Sequence, residues 1–93
     1  MAAASVSKSL EIKNKLGLHA RAAALWVQTV AQFEADIQVT KGDQTVDGKS
    51  ILGLMMLAAG QGCSIEVAVS GAHATEALRA IEELVEHRFN EEE

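Results

Sequence analysis

Proline is absent from the 93 residues, cysteine occurs once, at Cys63, and aromatic side chains make up 3% of the chain. Without proline there is no Pro-rich linker, and no repeat or low-complexity stretch precedes the closing Glu91-Glu92-Glu93. A lone cysteine cannot close an intramolecular disulfide, so the fold does not depend on oxidation and a cytoplasmic setting is expected. No apolar run approaches the length of a membrane span without meeting a charge, and no membrane insertion is expected. The first eight residues have neither the basic start nor the apolar run of a secretory signal. Eight Lys and Arg against 13 Asp and Glu give a net charge of -5. That balance argues against non-specific nucleic-acid binding, which needs cations to neutralise phosphates. A single domain over 1–93 is expected, as a monomer. At this length a chain buries roughly 60–70% of its unfolded surface, enough for one core. Residues 1–7 and 90–93 are expected to fray.

Acidic residues are also missing locally. Between Ile12 and Phe33 there is none, while Lys13, Lys15, His19 and Arg21 all fall there. Up to Thr75 acids and bases balance. From Glu76 onward seven acids face only Arg79 and Arg88, and this end carries the whole excess. The average disfavours anionic partners, but its distribution marks where an anion is least repelled.

Apolar spacing gives the elements. Val6, Leu10 and Ile12 alternate as in a half-buried strand. From Ala20 to about Glu34, Ala23, Trp26, Val27, Val30 and Phe33 recur at three and four, the pattern of a helix burying one face. Ile37 and Val39 alternate again, Lys41 to Gln44 reads as a turn, and Thr45 to Asp47 as a short return strand. Ile51 to Leu57 reads as a short helix with Ser50 as its N-cap. Ile65, Val67 and Val69 form a fourth strand. Ala74, Leu78, Ile81, Val85 and Phe89 mark one face of a last helix. The order β-α-β-β-α-β-α predicts an α+β fold, a two-layer open-faced sandwich with three helices on one face of a four-stranded antiparallel sheet.

The start of the first helix breaks the local rules. A helix N-terminus carries unpaired N–H groups and about half a positive charge, and is normally capped by Ser, Thr, Asp or Asn with acids in its first turn. Here the sequence is Gly17-Leu18-His19-Ala20-Arg21-Ala22, with no acceptor cap and a cation in the first turn. No carboxylate neighbours it in sequence. The N–H groups around Gly17, Ala20 and Ala22, together with Arg21, describe an anion site. His19 adds chemistry, since a neutral imidazole is a nucleophile toward phosphorus. The competing reading leaves His19 as a surface residue ending a loop and Arg21 solvated.

These residues carry a resemblance. Leu16-Gly17-Leu18-His19-Ala20-Arg21 followed by a small-residue helix resembles the active-site segment of the HPr family. Those proteins are histidine-containing phosphocarriers of the bacterial phosphoenolpyruvate-dependent phosphotransferase system. The stretch from Val46 to Gly62, containing Asp47-Gly48-Lys49-Ser50-Ile51-Leu52, resembles that family's regulatory serine segment. The resemblance implies that His19 accepts phosphate on Nδ1 from phospho-enzyme I and passes it to an enzyme IIA. It implies that Arg21 contacts the phosphoryl group. It also implies that Ser50 is the target of HPr kinase/phosphorylase in organisms that possess it. The chain would be a carrier and not a free-standing enzyme, with no cofactor of its own. It departs from the family at Ala22, where the usual residue is Pro, which presets φ and removes one N–H.

If Leu54 and Leu57 face the core, Ile51, Leu52 and Met55 are left outward. By resemblance that patch docks enzyme I and enzyme IIA, though full burial is the simpler alternative. Ser50 serves equally as a plain N-cap. Trp26 and Phe33 are expected in the core. Cys63 is expected as a small residue at a strand entrance, and His73 and His87 on the polar side of the last helix. These last three lack metal-ligand spacing, and no metal site is expected. Gly42 to Ser50 approaches a phosphate-binding loop, but five residues separate its glycines where four are needed. Two other functions fit the same residues: a small ferredoxin-like regulatory module binding a carboxylate at His19 and Arg21, or an HPr-like regulator acting through Ser50 alone.

Overall fold

The computed structural model describes residues 4–93. Strand β1 (Ala4–Glu11) leads to helix α1 (Ala20–Val30), the hairpin β2 (Asp36–Lys41) and β3 (Gln44–Asp47), and helix α2 (Ile51–Met56). Strand β4 (Ser64–Gly71) and helix α3 (Ala74–Glu86) follow, and a single turn over Arg88–Asn90 precedes the end of the chain. The four strands form one sheet in the order β1-β4-β2-β3, every pair antiparallel. This is the two-layer open-faced sandwich expected from the spacing of apolar residues.

Alternation sorts each strand into two faces. Leu10, Ile37, Val39, Ile65, Val67 and Val69 point into the layer covered by helices and are almost fully buried. Register places like with like across the sheet, with Leu10 opposite Ile65 and Val69 opposite both Val6 and Ile37. The other face carries Ser7, Ser9, Gln38, Thr40, Thr45 and Glu66 and, among the described residues, has no helix over it, as an antiparallel sheet allows. The helices close the core with Ala22, Ala23, Trp26 and Val30 of α1, Leu54 of α2, and Ala74, Ala77, Ile81 and Val85 of α3. Trp26 is wholly enclosed and its indole N–H has no partner among the described residues. Such a group costs about 1–3 kcal/mol, which burial of the large ring offsets.

Three expectations need correction. The periodicity of α1 continues to Phe33, but the helix ends at Val30. The Phe33 N–H donates to the Val30 carbonyl and turns the chain toward β2, leaving Phe33 partly buried beside the core. The stripe of α3 likewise reaches Phe89, but the helix stops at Glu86. Arg88, Phe89 and Asn90 then take φ of 53, 52 and 62°. Phe89 is still fully buried, delivered by a left-handed turn and not by a fourth helical turn. The chain ends are also more ordered than expected. Residues 1–3 lie outside the described residues, but 4–7 pair with 68–71 in β4. Residues 91 and 93 are bonded to the loop before α1.

Candidate functional site

The loop from Ile12 to His19 is tied down along its length. Ile12 exchanges backbone bonds with Cys63 and Gly62, and the Leu18 N–H donates to the Ala59 carbonyl at 2.9 Å. Gly17 sits at φ +68°, and a Cβ there would lie 2.4 Å from the Ala59 oxygen, so only glycine allows this approach. Asn14 is completely buried, and its Nδ2 donates to the Gly17 carbonyl at 2.9 Å. Leu18 is sunk in the core while Leu16 stands out in solvent. His19 follows, with extended backbone (φ -78°, ψ 179°), as the N-cap residue of α1.

No side chain caps this helix and no acid lies in its first turn. The backbone carbonyl of His19 accepts from Ala23, so the N–H groups of Ala20, Arg21 and Ala22 precede the helical ladder. His19 and Arg21 therefore stand together at the positive end of α1.

What the sequence reading missed is the carboxylate that joins them. Glu91 returns from the far end of the chain, its side chain only 15% exposed. Its Oε2 lies 2.6 Å from His19 Nε2 and 3.0 Å from an Arg21 guanidinium nitrogen. Its Oε1 accepts from Asn14 Nδ2 at 2.9 Å. The same Arg21 nitrogen donates to the Phe89 carbonyl at 3.0 Å, which ties the left-handed turn to α1. Lys15 is held twice, its N–H donating to the Glu93 carbonyl and its ammonium 3.7 Å from the Glu93 carboxylate. Burial alone would push the Glu91 carboxyl up. The hydrogen bonds from Asn14 and His19, with the guanidinium of Arg21 close by, outweigh it, so the group lies below its ordinary value of 4.5 and is ionised at neutral pH.

The expected solvated tail is thus a wall of the site. It lines a depression of about 460 Å³ with Lys15, Leu16, His19 and Arg21. A smaller one of about 200 Å³ is bounded by Leu16, Leu18, His19 and Ala58 to Gly60. His19 lies between the two, its side chain 28% exposed. Nδ1 has no hydrogen-bond partner among the described residues. The signal was present in the sequence as complementary charge: an acid-free segment near one end of the chain and an acid-rich one at the other.

Ser50 lies elsewhere, lining neither depression. It caps α2, its Oγ accepting from the Gly53 N–H at 3.0 Å. Gly48 lets the chain turn there, since a Cβ would meet Ile37 Cγ2 at 2.2 Å. Leu54 and Leu57 are buried, and Ile51, Leu52 and Met55 are exposed, joined by Met56. Cys63 precedes β4, and His73 and His87 flank α3 at its two ends, both exposed.

Comparison with known proteins shows the family. Residues 6–87 match the family model described as the PTS HPr component phosphorylation site. The phosphocarrier protein HPr of Neisseria meningitidis serogroup A is 51% identical over 88 residues, covering 95% of this chain and 99% of that one. The crystal structure of HPr-C-His from Thermoanaerobacter tengcongensis superposes with a TM-score of 0.90 at 43% identity, covering 95% and 99%. The HPr of Bacillus anthracis gives 0.83 at 45% identity, covering 88% and 98%. The chain belongs to the HPr family of phosphocarrier proteins of the phosphotransferase system.

Proposed function

We propose that His19 is the residue of this carrier that takes up and hands on the phosphoryl group, accepting it on Nδ1 from phospho-enzyme I and delivering it to an enzyme IIA. The observation that carries the reading is the combination at one helix end: an imidazole at the N-cap position, no acid in the first turn, and a guanidinium two residues on. The Nδ1 lone pair attacks phosphorus while the bond from phosphorus to the donor breaks, its electron pair staying with the donor. The phosphoryl oxygens then lie near the free N–H groups of α1, which favour anions by up to about 2 kcal/mol. Arg21 supplies a charge-assisted contact once it turns from Glu91. The partners bring the remaining catalytic groups, so the chain acts as a carrier in the cytoplasm, as a monomer.

The exposed side chains of Ile51, Leu52 and Met55 on α2 supply the apolar surface for docking enzyme I and enzyme IIA. Ser50, already an N-cap, is the regulatory site for HPr kinase/phosphorylase. A phosphate there adds nearly two negative charges beside that surface and hinders docking without unfolding α2. The carboxylate-binding module has one observation in its favour, the docked Glu91 carboxylate, which membership of a phosphocarrier family outweighs.

Incubation with enzyme I, Mg²⁺ and phosphoenolpyruvate is expected to add one acid-labile phosphoryl group, about 80 Da by mass, and His19→Ala to abolish it. An adduct that survives in His19→Ala would sink the assignment. With HPr kinase and ATP an acid-stable adduct, lost in Ser50→Ala, is expected.

A further inference from the structure

The carrier reading explains His19 and Arg21 but leaves Glu91 without a task. Its placement is costly. Three consecutive residues without glycine, Arg88 to Asn90, are held in the left-handed region to bring it there, and each such residue is disfavoured. The anchors are burial of Phe89, the Arg21 bond to its carbonyl, and the Lys15 bond to Glu93. The carboxylate that arrives is bonded on both oxygens, Oε1 by the fully buried Asn14 and Oε2 by His19 and Arg21. The Asn14 amide is itself oriented by the Gly17 carbonyl. The result is a chain of fixed groups, backbone to Asn14 to Glu91 to His19.

A carboxylate can only accept at such a contact, so the proton of the neutral imidazole stands on Nε2 and the lone pair is left on Nδ1. We propose that Glu91 is a positioning residue for His19, holding the ring in the one tautomer and orientation that present Nδ1 to the incoming phosphorus. The inference rests on the reading of His19 as phosphoryl acceptor. In the transfer, the N–P bond forms at Nδ1 as the phosphorus–donor bond breaks, and the Nε2 proton stays in place. Positive charge that develops on the phosphorylated ring is met by the carboxylate on Nε2. A buried carboxylate orients a catalytic histidine in the same physical sense in serine hydrolases. A carboxylate that merely fills an anion position would have the opposite effect, delaying phosphorylation until it leaves.

Two measurements on the full chain separate these. Ring ¹⁵N spectra are recorded about two pH units above the unperturbed imidazole pKa, and kcat/KM for phosphorylation is measured with enzyme I, Mg²⁺ and phosphoenolpyruvate. The native chain is expected to show a protonated Nε2 and a bare Nδ1. Glu91→Ala should show the two nitrogens moving toward a tautomer mixture, with kcat/KM down about tenfold. Glu91→Gln, whose amide oxygen still accepts from Nε2 but which carries no charge, should keep the native ring signals and lose less of the rate than Glu91→Ala. Glu66→Ala, an acid removed from the open face of the sheet far from His19, should match the native chain in both. Faster phosphorylation of Glu91→Ala would overturn the proposal in favour of simple occupation, and so would unchanged ring signals. If the native chain takes up no phosphate at all, the carrier reading falls. The ring spectra then still decide whether Glu91 sets the tautomer.

Discussion

Asn14 shows how one buried polar residue holds together a site it does not form. It has no exposed surface, and its amide nitrogen serves two acceptors, the Gly17 carbonyl in front of α1 and Glu91 from the chain's end. Its own Oδ1 has no partner among the described residues. The side chain is oriented entirely by what it donates. Asn14→Asp would replace that donor by an anion facing a carbonyl and a second carboxylate. We expect a loss of about 3 kcal/mol in urea unfolding, with residues 91–93 gaining mobility in NMR relaxation. Asn14→Leu keeps the bulk and should cost about 1–3 kcal/mol, because the Gly17 carbonyl is left buried without a donor. Nothing near Asn14 in the sequence announces this. The partner that gives it meaning is 77 positions away.

Among the elements, α2 is the most economically built. Ser50 caps its start, and Lys41 from the end of β2 donates to the Leu57 and Ala58 carbonyls at its other end, where a cation is favoured. Gln44 adds a bond to the Met56 carbonyl. The helix closes on Ala58 at φ 51°, a position where glycine is the usual residue. Ala58 is exposed, so its methyl group packs little. Ala58→Gly should therefore raise stability by about 0.5–1 kcal/mol, read as a higher urea midpoint with unchanged slope. A fall in the midpoint would mean that the methyl group packs against the loop bearing His19.

Elements were legible in the sequence wherever periodicity and local chemistry agreed. The alternation at Ile65, Val67 and Val69, the cap at Ser50 and the uncapped start at His19 all lie where the residues place them. Periodicity overran in α1 and α3 because it registers burial and not the backbone path that achieves it. Phe89 keeps the four-residue spacing from Val85 and is buried as that spacing requires, yet it arrives through a left-handed turn. Arg88-Phe89-Asn90 contains no glycine to announce positive φ. The turn is imposed by tertiary anchors that no local pattern records, and Glu91 was hidden behind it.

For the molecule as a whole, the segregated charge becomes a layout of facing ion pairs. Lys8 pairs with Glu82, Lys13 with Glu86 at 3.3 Å, Lys15 with Glu93, and Arg21 with Glu91. The acid-poor beginning and the acid-rich end lie against one another. Most of these pairs are exposed and contribute little singly, but the Glu91 cluster is shielded. Because the docked Glu91 carboxyl lies below its ordinary 4.5, docking of the tail is fully supported above that pH. It weakens as pH falls through the lower docked value, where the released form binds the extra proton. Amide shifts of residues 88–93 are expected to move toward coil values in acid while β4 stays folded, and Glu91→Gln should remove that step.

The pairing of β1 with β4 bears on how the chain is made. The first strand finds its sheet neighbour only roughly sixty residues further along. On a ribosome adding about 5–20 residues per second, β1 waits for seconds with Val6, Leu10 and Ile12 uncovered. Meanwhile β2 meets β3, its hairpin partner, across a turn of two residues. Lys8, placed among those apolar side chains on what becomes a sheet edge, discourages premature strand pairing during the delay. Glu91 follows β4 and α3 as well. The two sides of the site are 72 positions apart, so a nascent chain carries the His19 imidazole for seconds before the carboxylate that meets it has been made.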